Sequence, residues 1–446
     1  MKRIAIQHLK KHIGKEVAIA GWVDVRRDHG KLIFLDIRDG TGMVQCVVLP
    51  KGKLSNAEKE VVQKLRSEWV VKIGGVVNAR PDNMVNSDTL NGDIELEIQS
   101  MSILNEAQEL PFDKDTELNI DTYLDYMPLT LRSKKGKDIF KVQSEIMRAY
   151  RDTLITMDFV EFQAPKLVGN DAEGGANAFK VEYFYDKTAY LATSPQLYKQ
   201  IMVGVFEKVF TVGNVFRAEK HSTTRHLNEY TSLDAEMGFI ESHETVMDVL
   251  TKVIRSIVKA VGTACERELS SLKAASALCP TTFPVMKLRD AQTLIFKETG
   301  EDSTKEPDLS PAQEKWLCEY SAKEFKSDFI FITHYPASKR PFYTFEDEND
   351  AGYTKSFDLL FRGIEVATGG QRVHDYDTLV KKLKERGLNP DNFSFYLQTF
   401  QYGMPPHGGW GMGLERLTEK MLGLENIKEA TLFPREMNRI DILLSD

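Results

Sequence analysis

The chain has 446 residues, 42% of them hydrophobic, so it can bury a large core and form about two or three domains. Its formal net charge of -8 argues against indiscriminate nucleic-acid binding, which requires an excess of Lys and Arg over a whole domain. We expect a cytoplasmic protein with no membrane partner, because the N-terminus lacks a signal-peptide pattern and no window approaches the ~20 apolar residues of a membrane helix. The four cysteines form no CxxC pair, which argues against a zinc site or a disulfide framework.

The first 104 residues carry the pattern of a small all-β unit. Strand-like runs separated by glycine-containing turns are found at Val17–Val25, Leu32–Ile37, Met43–Leu49, Trp69–Val77 and Ile94–Ile98. Five short strands of this kind predict an OB-fold β-barrel over residues 1–104. Such barrels bind oligonucleotides, sugars or proteins, so the fold alone does not define the function.

A polar segment at 105–130, which contains Pro111 and Pro128, is predicted to be a hinge before a larger domain at 131–446. In that domain, helical periodicity is found at 136–159, 246–261, 376–386 and from Gly413 onward. The strand-like segments between these helices are connected like hairpins rather than βαβ crossovers. The domain is therefore predicted to be α+β, with an antiparallel sheet flanked by helices.

Two patterns of charged residues in this domain indicate a ligand-binding site. Arg217 and Glu219, two residues apart, are predicted to share one face of a strand and so to place a cation beside an acceptor. Asp358 and Glu365 flank a turn at Arg362-Gly363, which would pair 360 with 365 and 358 with 367 and make the two carboxylates diagonal neighbours. Such a pair suits Mg²⁺. Surface ion pairs and separately solvated acids are the alternative explanations.

Five motifs carry a resemblance to a known family. Phe216–Glu219 with Arg225–Leu227 looks like motif 2 of class II aminoacyl-tRNA synthetases, Gly411–Arg416 looks like motif 3, and Pro165 resembles the motif 1 proline. Ser194–Gln200 and Gly369–His374 are similar to the aspartyl members of that family. The resemblance extends over essentially the whole chain. It implies a class II catalytic domain that activates aspartate with ATP and transfers it to the 3′ end of tRNA(Asp).

The resemblance also implies roles for individual residues. For catalysis these are Arg217 and Arg416, and for ATP binding Arg217, Glu219, Arg225, His226, Leu227, Glu365, Gly413 and Arg416. For aspartate binding they are Glu173, Ser194, Gln196, Lys199, Asp234 and Arg372, and for Mg²⁺ Asp358 and Glu365. For the tRNA anticodon they are Arg26, Phe34 and Gln45. Two converging cations, Lys199 and Arg372, would neutralise the side-chain carboxylate of aspartate, since an unpaired buried charge is very costly.

Several alternatives stay open. Taken alone, Lys199 would be an ordinary helix-surface lysine, and Phe34 would be a core residue of its strand. An asparaginyl enzyme and a non-catalytic paralogue that binds RNA are the competing functions. Asp24 replaces the Trp or His that archaeal relatives often carry, which leaves open whether tRNA(Asn) is also charged. Motif 1 implies a homodimer, although the helix at 136–159 also fits a monomer core.

Overall fold

The computed structural model describes residues 2–30, 32–86, 90–114, 116–169, 178–220 and 223–444. The chain divides into two compact units, Met1–Glu117 and Leu118–Asp446. The boundary lies inside the segment 105–130 that the sequence predicts to be a hinge, and part of this segment forms short helices. Within the described ranges, no helix is both long and apolar enough to span a bilayer.

The first unit is a closed barrel of five strands joined in the order β1-β2-β3-β5-β4. The strands are β1 (Glu16–Asp28), β2 (Ile33–Arg38), β3 (Met43–Val48), β4 (Val70–Ala79) and β5 (Ile94–Asn105). This confirms the predicted OB fold. Alternating side chains such as Leu35 and Ile37 fill the barrel, since successive strand residues point to opposite faces.

One helix of the barrel was missed. α1 (Asn56–Lys64) lies between β3 and β4 and begins with a capping box in which Ser55 and Glu58 bond each other's backbone N–H groups. The spacing Ser55-x-x-Glu58 is a recognisable start signal for a helix. Two 3₁₀ helices, Ile6–His12 and Asp82–Met84, complete the described part of the unit.

The second unit is built on an eight-stranded sheet in the order β12-β13-β14-β15-β16-β11-β10-β6. In chain order its strands are β6 (Val160–Glu161), β10 (Lys208–Phe216), β11 (Glu229–Gly238), β12 (Val285–Lys287), β13 (Phe329–Thr333), β14 (Ser356–Phe361), β15 (Ile364–Arg372) and β16 (His407–Gly413). The six central strands are antiparallel, as predicted, but β6 and β12 add to the two edges in parallel. The sheet is therefore mixed. A smaller sheet contains β7 (Leu167–Val168), β8 (Lys180–Tyr183) and β9 (Lys187–Leu191).

The described part of this unit also contains eleven α-helices. They are α2 (Ile120–Asp125), α3 (Met127–Thr130), α4 (Lys134–Ile155), α5 (Gln196–Phe206), α6 (His243–Ala264), α7 (Glu266–Ser271), α8 (Leu288–Thr299), α9 (Pro311–Glu324), α10 (Tyr376–Glu385), α11 (Ser394–Gln401) and α12 (Leu414–Leu422). The apolar faces of α4 and α6 pack together over the sheet and supply Ile146, Tyr150, Leu250 and Ile257 to the main core. This packing leaves the opposite face of the central strands free to form a cavity.

Candidate active site

A cavity of about 350 Å³ lies over the central strands of the second unit, within the range typical of small-molecule sites. It brings together residues that are more than 200 positions apart in the sequence. The predicted residues that line it are Ser194, Gln196, Lys199, Arg217, Glu219, Arg225, His226, Leu227, Asp234, Glu365, Arg372, Gly413 and Arg416. Glu173 lies outside the described residues. Asp358 is buried beside Arg340, which itself lines the cavity.

One end of the cavity, here called the amino-acid end, is a buried network of charges. Nζ of Lys199 donates to Oδ1 of Asp234 at 2.9 Å and to the carbonyl of Trp410 at 2.9 Å. The same Nζ lies 3.4 Å from a carboxylate oxygen of Glu236. Because the Lys199 side chain is 1% exposed, its interpretation as a surface lysine is wrong.

Glu236 links the two predicted cations of this end and was missed by the sequence analysis. Nε of Arg372 donates to Glu236 at 2.9 Å, and a terminal nitrogen of Arg372 donates to the carbonyl of Gly409 at 3.0 Å. Burial alone would raise the pKa of Glu236, but the nearby charges of Arg372 and Lys199 hold that pKa below its ordinary value. The signal in the sequence was its position two residues after Asp234, on the same face of β11.

Both faces of β11 are buried from Ser232 to Met237. Leu233 and Ala235 enter the core, whereas Asp234 and Glu236 are buried against charged partners. The face is polar because it meets Lys199 and Arg372, not because it meets water. Buried charges are tolerated when they are paired in this way.

A second group of buried polar side chains, His407, Gln200 and Tyr396, lies next to the amino-acid end. Nδ1 of His407 lies 2.9 Å from the carbonyl of Pro405, so Nδ1 carries the proton and Nε2 accepts from the amide of Gln200 at 2.9 Å. The hydroxyl of Tyr396 donates to the same Gln200 amide at 3.1 Å. Burial lowers the pKa of His407 to about 4, so this group of side chains adds no positive charge at neutral pH.

Gln196 and Ser194 lie at the N-terminus of α5 beside this network. The hydroxyl of Ser194 accepts from the backbone N–H of Gln196 at 3.1 Å. Gln196 is 4% exposed, and among the described atoms its side-chain nitrogen has no hydrogen-bond partner. Buried polar groups are normally satisfied, so this amide has capacity for a ligand.

The glycines of β16 serve strand packing as well as the cavity. A Cβ on Gly409 would lie 2.0 Å from the carbonyl of Ala235 and 2.3 Å from the carboxylate of Glu236. A Cβ on Gly411 would lie 3.1 Å from Asp234. Glycine is therefore required at position 409 by the close approach of β11.

The other end of the cavity, here called the nucleotide end, is more open. Arg217 and Glu219 follow β10 rather than lying in it, so the prediction that they share a strand face is wrong. They nevertheless stay close, with a guanidinium nitrogen 4.0 Å from a carboxylate oxygen. The Arg217 guanidinium lies 5.7 Å from the ring centre of Tyr230, and His226 lies 3.8 Å from Glu219. A cation, an aromatic ring and an acceptor therefore occur together.

The start of α12 brings two more charged residues to this end. A terminal nitrogen of Arg416 donates to the carbonyl of Glu365 at 3.1 Å and lies 3.8 Å from its carboxylate. The carboxylate of Glu415 accepts from the backbone N–H of Thr231 at 3.0 and 3.1 Å. Burial raises the pKa of Glu415 to about 7, because hydrogen bonds to Thr231 compensate only part of the lost hydration.

The carboxylate pair lies on the hairpin of β14 and β15, with one correction to its register. Leu360 is opposite Glu365 as predicted, but a bulge places Asp358 opposite Thr368 instead of 367. Burial and the charge of Asp358 together raise the pKa of Glu365, as expected for neighbouring carboxylates. Arg340 lies 2.8 Å from Asp358 and donates to the hydroxyl of Thr368 at 3.1 Å.

In the barrel, Phe34 and Gln45 occur on one outer face. Arg27 is opposite Phe34 in the register, and its guanidinium donates to Asp36 at 2.8 Å and to Gln45 at 3.3 Å. Phe34 is only partly buried and does not belong to the barrel core, so its interpretation as a core residue is wrong. Arg26 is opposite the core residue Leu35, which places it on the other face of the strand.

Asp24, which leaves the expected tRNA range open, is held by cations. Its carboxylate accepts from Nε of Arg38 at 3.2 Å and also contacts Lys114. Arg38 in turn bonds the buried carboxylate of Glu68. This network neutralises the Asp24 carboxylate.

Comparison with known families agrees with this geometry. The family described as tRNA synthetases class II (D, K and N) matches residues 119–437, and the OB-fold nucleic acid binding domain matches residues 17–104. The chain belongs to the class II tRNA synthetases, which are ligases that use ATP as a substrate. Its two units correspond to the catalytic and the nucleic-acid-binding parts of that family.

Individual relatives cover nearly the whole chain. It is 41% identical to the aspartate--tRNA(Asp/Asn) ligase of Thermus thermophilus, over 98% of this chain and 99% of that protein. It is 39% identical to the aspartate--tRNA(Asp) ligase of Pyrococcus abyssi, over 96% of each chain. Among solved structures, asparaginyl-tRNA synthetase from Pyrococcus horikoshii with asparaginyl-adenylate is 31% identical, with a TM-score of 0.91 and 99% coverage of both chains.

Proposed function

We propose that the protein is an aspartate--tRNA ligase, which forms aspartyl-adenylate from L-aspartate and ATP and transfers the aspartyl group to the 3′ end of tRNA(Asp). The observation that carries the proposal is the pair of buried cations, Lys199 and Arg372, that converge on one end of a cavity whose other end holds three arginines. The names of the relatives support the same substrate.

The amino-acid end favours aspartate by its charges. Asp234 lies at the wall of the cavity, where its carboxylate attracts the α-ammonium of the substrate, and Gln196 and Ser194 lie beside it. Lys199 and Arg372 offer positive charge to the side-chain carboxylate, with Glu236 fixing both cations in place. Asparagine would bring a neutral amide in place of that carboxylate and would lose the charge attraction to Lys199 and Arg372.

The nucleotide end supplies the groups that stabilise a reacting triphosphate. Guanidinium groups match phosphate oxygens through paired N–H donors, which suits Arg217, Arg225 and Arg416 to the phosphates. The acceptor Glu219 and the neighbouring His226 and Leu227 lie where the adenine would rest, with Gly413 at the cavity wall. The substrate carboxylate attacks the α-phosphorus, pyrophosphate leaves, and the protein contributes by positioning and by neutralising charge.

The hairpin carboxylates fit a magnesium ion bound with the nucleotide. Asp358 and Glu365 provide hard oxygen donors within electrostatic reach of each other, and Mg²⁺ is commonly held by one or two carboxylates together with substrate phosphates. Among the described residues, no group of three or more His, Cys, Asp or Glu side chains is arranged to hold a metal ion. When bound, the ion would offset the negative charge of the phosphates.

The barrel is proposed to read the anticodon. Phe34 offers a partly exposed ring for base stacking, and Gln45 offers hydrogen bonds on the same face. Arg26 is proposed to hold a phosphate, from the other face of β1. The relatives are named for tRNA(Asp) alone or for both tRNA(Asp) and tRNA(Asn), so both transcripts belong in the test.

Amino-acid-dependent exchange of pyrophosphate into ATP tests the amino-acid assignment. We expect exchange with aspartate and none above background with asparagine. Exchange driven only by asparagine would assign the chain to the asparaginyl enzymes, to which it is also similar in structure. Aminoacylation of tRNA(Asp) and tRNA(Asn) transcripts with labelled aspartate then defines the tRNA range.

We also propose a homodimer that acts in the cytoplasm, where charged tRNA is consumed. Exposed apolar side chains at the end of α4 and in β6, Ile155 at 56% and Val160 at 39%, support a subunit contact at this edge of the sheet. Light scattering during size-exclusion chromatography should give twice the mass of the 50.7 kDa chain. The double variant Ile155→Glu, Val160→Glu places two carboxylates at this edge and should have the mass of a single chain.

A further inference from the structure

A carboxylate outside all the motifs contacts one of the arginines of the nucleotide end. A terminal nitrogen of Arg225 donates to a carboxylate oxygen of Glu314 at 2.6 Å. Glu314 lies in the first turn of α9, a helix that is capped by Ser310 in a capping box completed by Gln313. The side chains are 27% and 17% exposed, so the ion pair is partly shielded from water.

The main chain around Arg225 is also anchored. Its backbone N–H donates to the hydroxyl of Thr223 at 3.1 Å, and the carbonyl of Thr224 accepts from the backbone of Ile427 at 3.0 Å. These bonds fix where the Arg225 side chain begins but not where its long, flexible side chain ends. The contact with Glu314 fixes the guanidinium itself at the wall of the cavity.

Glu314 belongs to the same electrostatic neighbourhood as the proposed phosphate site. Burial raises its pKa, the contact with Arg225 opposes that shift, and the charges of Arg416 and Asp358 also act on it. The charge of Glu314 in turn contributes to the raised pKa of Glu365. Glu314 therefore lies close enough to interact electrostatically with Arg225, Arg416 and the hairpin carboxylates.

We propose that Glu314 is a positioning residue for ATP, acting through Arg225 and not by touching the nucleotide. Its carboxylate occupies one terminal nitrogen of the guanidinium, and the further N–H donors of Arg225, which lines the cavity, can bind a terminal phosphate. Holding the side chain in advance removes part of the entropy cost of ordering it when ATP binds. This inference rests on the proposed function, because it takes the nucleotide end to bind ATP.

Direct titration of the full chain with ATP and Mg²⁺ in a calorimeter tests this role without relying on turnover. Glu314→Ala removes the contact and should weaken ATP binding about 5-fold, the size expected from one side chain that must be ordered on binding. Glu314→Gln keeps an acceptor for Arg225 and should recover most of that loss. The matched control is Glu319→Ala on the same helix, whose carboxylate is exposed and pairs only loosely with Lys315 at 3.9 Å.

A double mutant separates action through Arg225 from a general effect of charge or folding. In an Arg225→Ala background, Glu314→Ala should cause no further loss of ATP affinity. Unchanged or tighter ATP binding by Glu314→Ala would overturn the proposal, as would an equal loss in the Arg225→Ala background. If the wild-type chain binds ATP but shows no aspartate-dependent exchange, the proposed function fails while this inference is still decided by the titration.

Discussion

The two ends of the cavity differ in how far their charged side chains are buried and in how close their ion-pair partners lie. At the amino-acid end, Lys199, Asp234, Glu236 and Arg372 are each at most 5% exposed. At the nucleotide end, the side chains of Arg217 and Arg416 are 38% and 31% exposed, and their carboxylate partners lie 4.0 and 3.8 Å away. In a buried network of ion pairs each charged side chain is held in place by its partners. Such a network suits the selection of a small substrate. Partly exposed arginines such as Arg217 and Arg416 can adjust to a larger and more highly charged substrate.

Two buried carboxylates show the same contrast. Glu236 is fully buried, yet the charges of Arg372 and Lys199 keep its pKa below the ordinary value. Glu415 is buried beside backbone N–H groups rather than a cation, and its pKa rises to about 7. Burial alone therefore does not decide whether a carboxyl group is charged. The charge of its neighbours decides it.

Replacing Lys199 with Ala is the largest test of this contrast. It leaves Asp234 and Glu236 buried with one cation between them, and breaking a buried ion pair typically costs about 3–5 kcal/mol. We expect that loss in the free energy of unfolding, measured with urea, together with loss of aspartate-dependent exchange. A variant as stable as the wild type would mean that the network is not tightly coupled.

Arg217→Ala should affect activity almost as strongly but leave stability nearly unchanged. Removing a group that stabilises charge in the transition state commonly costs about 100- to 1000-fold in rate. Because Arg217 is half-exposed, its loss should change the free energy of unfolding by less than about 1 kcal/mol. The rate of pyrophosphate exchange and the free energy of unfolding in urea, measured on the same preparation, check the two expectations. A large loss of stability would contradict the difference between the two ends.

Glu415→Gln tests the contrast through pH. The folded chain keeps a proton on Glu415 up to about pH 7, whereas the unfolded chain releases it near the ordinary value of about 4.3. The resulting stabilisation is complete below the unfolded pKa and is lost as the pH rises through the folded pKa. The wild type should therefore lose about 2 kcal/mol more than Glu415→Gln between pH 5 and pH 7. Glu425→Gln at an exposed position is the control and should follow the wild type in urea unfolding at each pH.

The sequence predicted the elements better than their contacts. The strand pattern identified the barrel, and the turn at Arg362-Gly363 paired Leu360 with Glu365 correctly. The bulge one residue further along was not predictable, because an extra residue in β15 leaves the alternating pattern of β14 unchanged. The helix after Ser55 was missed although its capping box was readable.

Long-range pairing accounts for most of what was missed in the site. Nothing local distinguishes Lys199 from a surface lysine, since its burial depends on β11 and on Trp410, 211 positions away. Glu236 and Glu314 likewise gain their roles from partners on other elements. The resemblance to a family supplied Lys199, Arg372 and Asp234, but neither resemblance nor spacing supplied Glu236 and Glu314, the acids that hold Arg372 and Arg225.

Phe34→Ala is a variant outside the cavity, and a change in the barrel should leave both ends of the cavity intact. Stacking of a base on an aromatic ring is worth about 1–3 kcal/mol, so kcat/KM for tRNA charging should fall about 10-fold or more. Aspartate-dependent exchange should stay at the wild-type rate, because Phe34 lies in the Met1–Glu117 unit while the cavity lies in the other. Phe34→Tyr keeps the ring and is the matched control, which should charge tRNA nearly as well as the wild type. Equal losses of exchange and charging in Phe34→Ala would show that the barrel is needed for the chemistry itself and not only for binding tRNA.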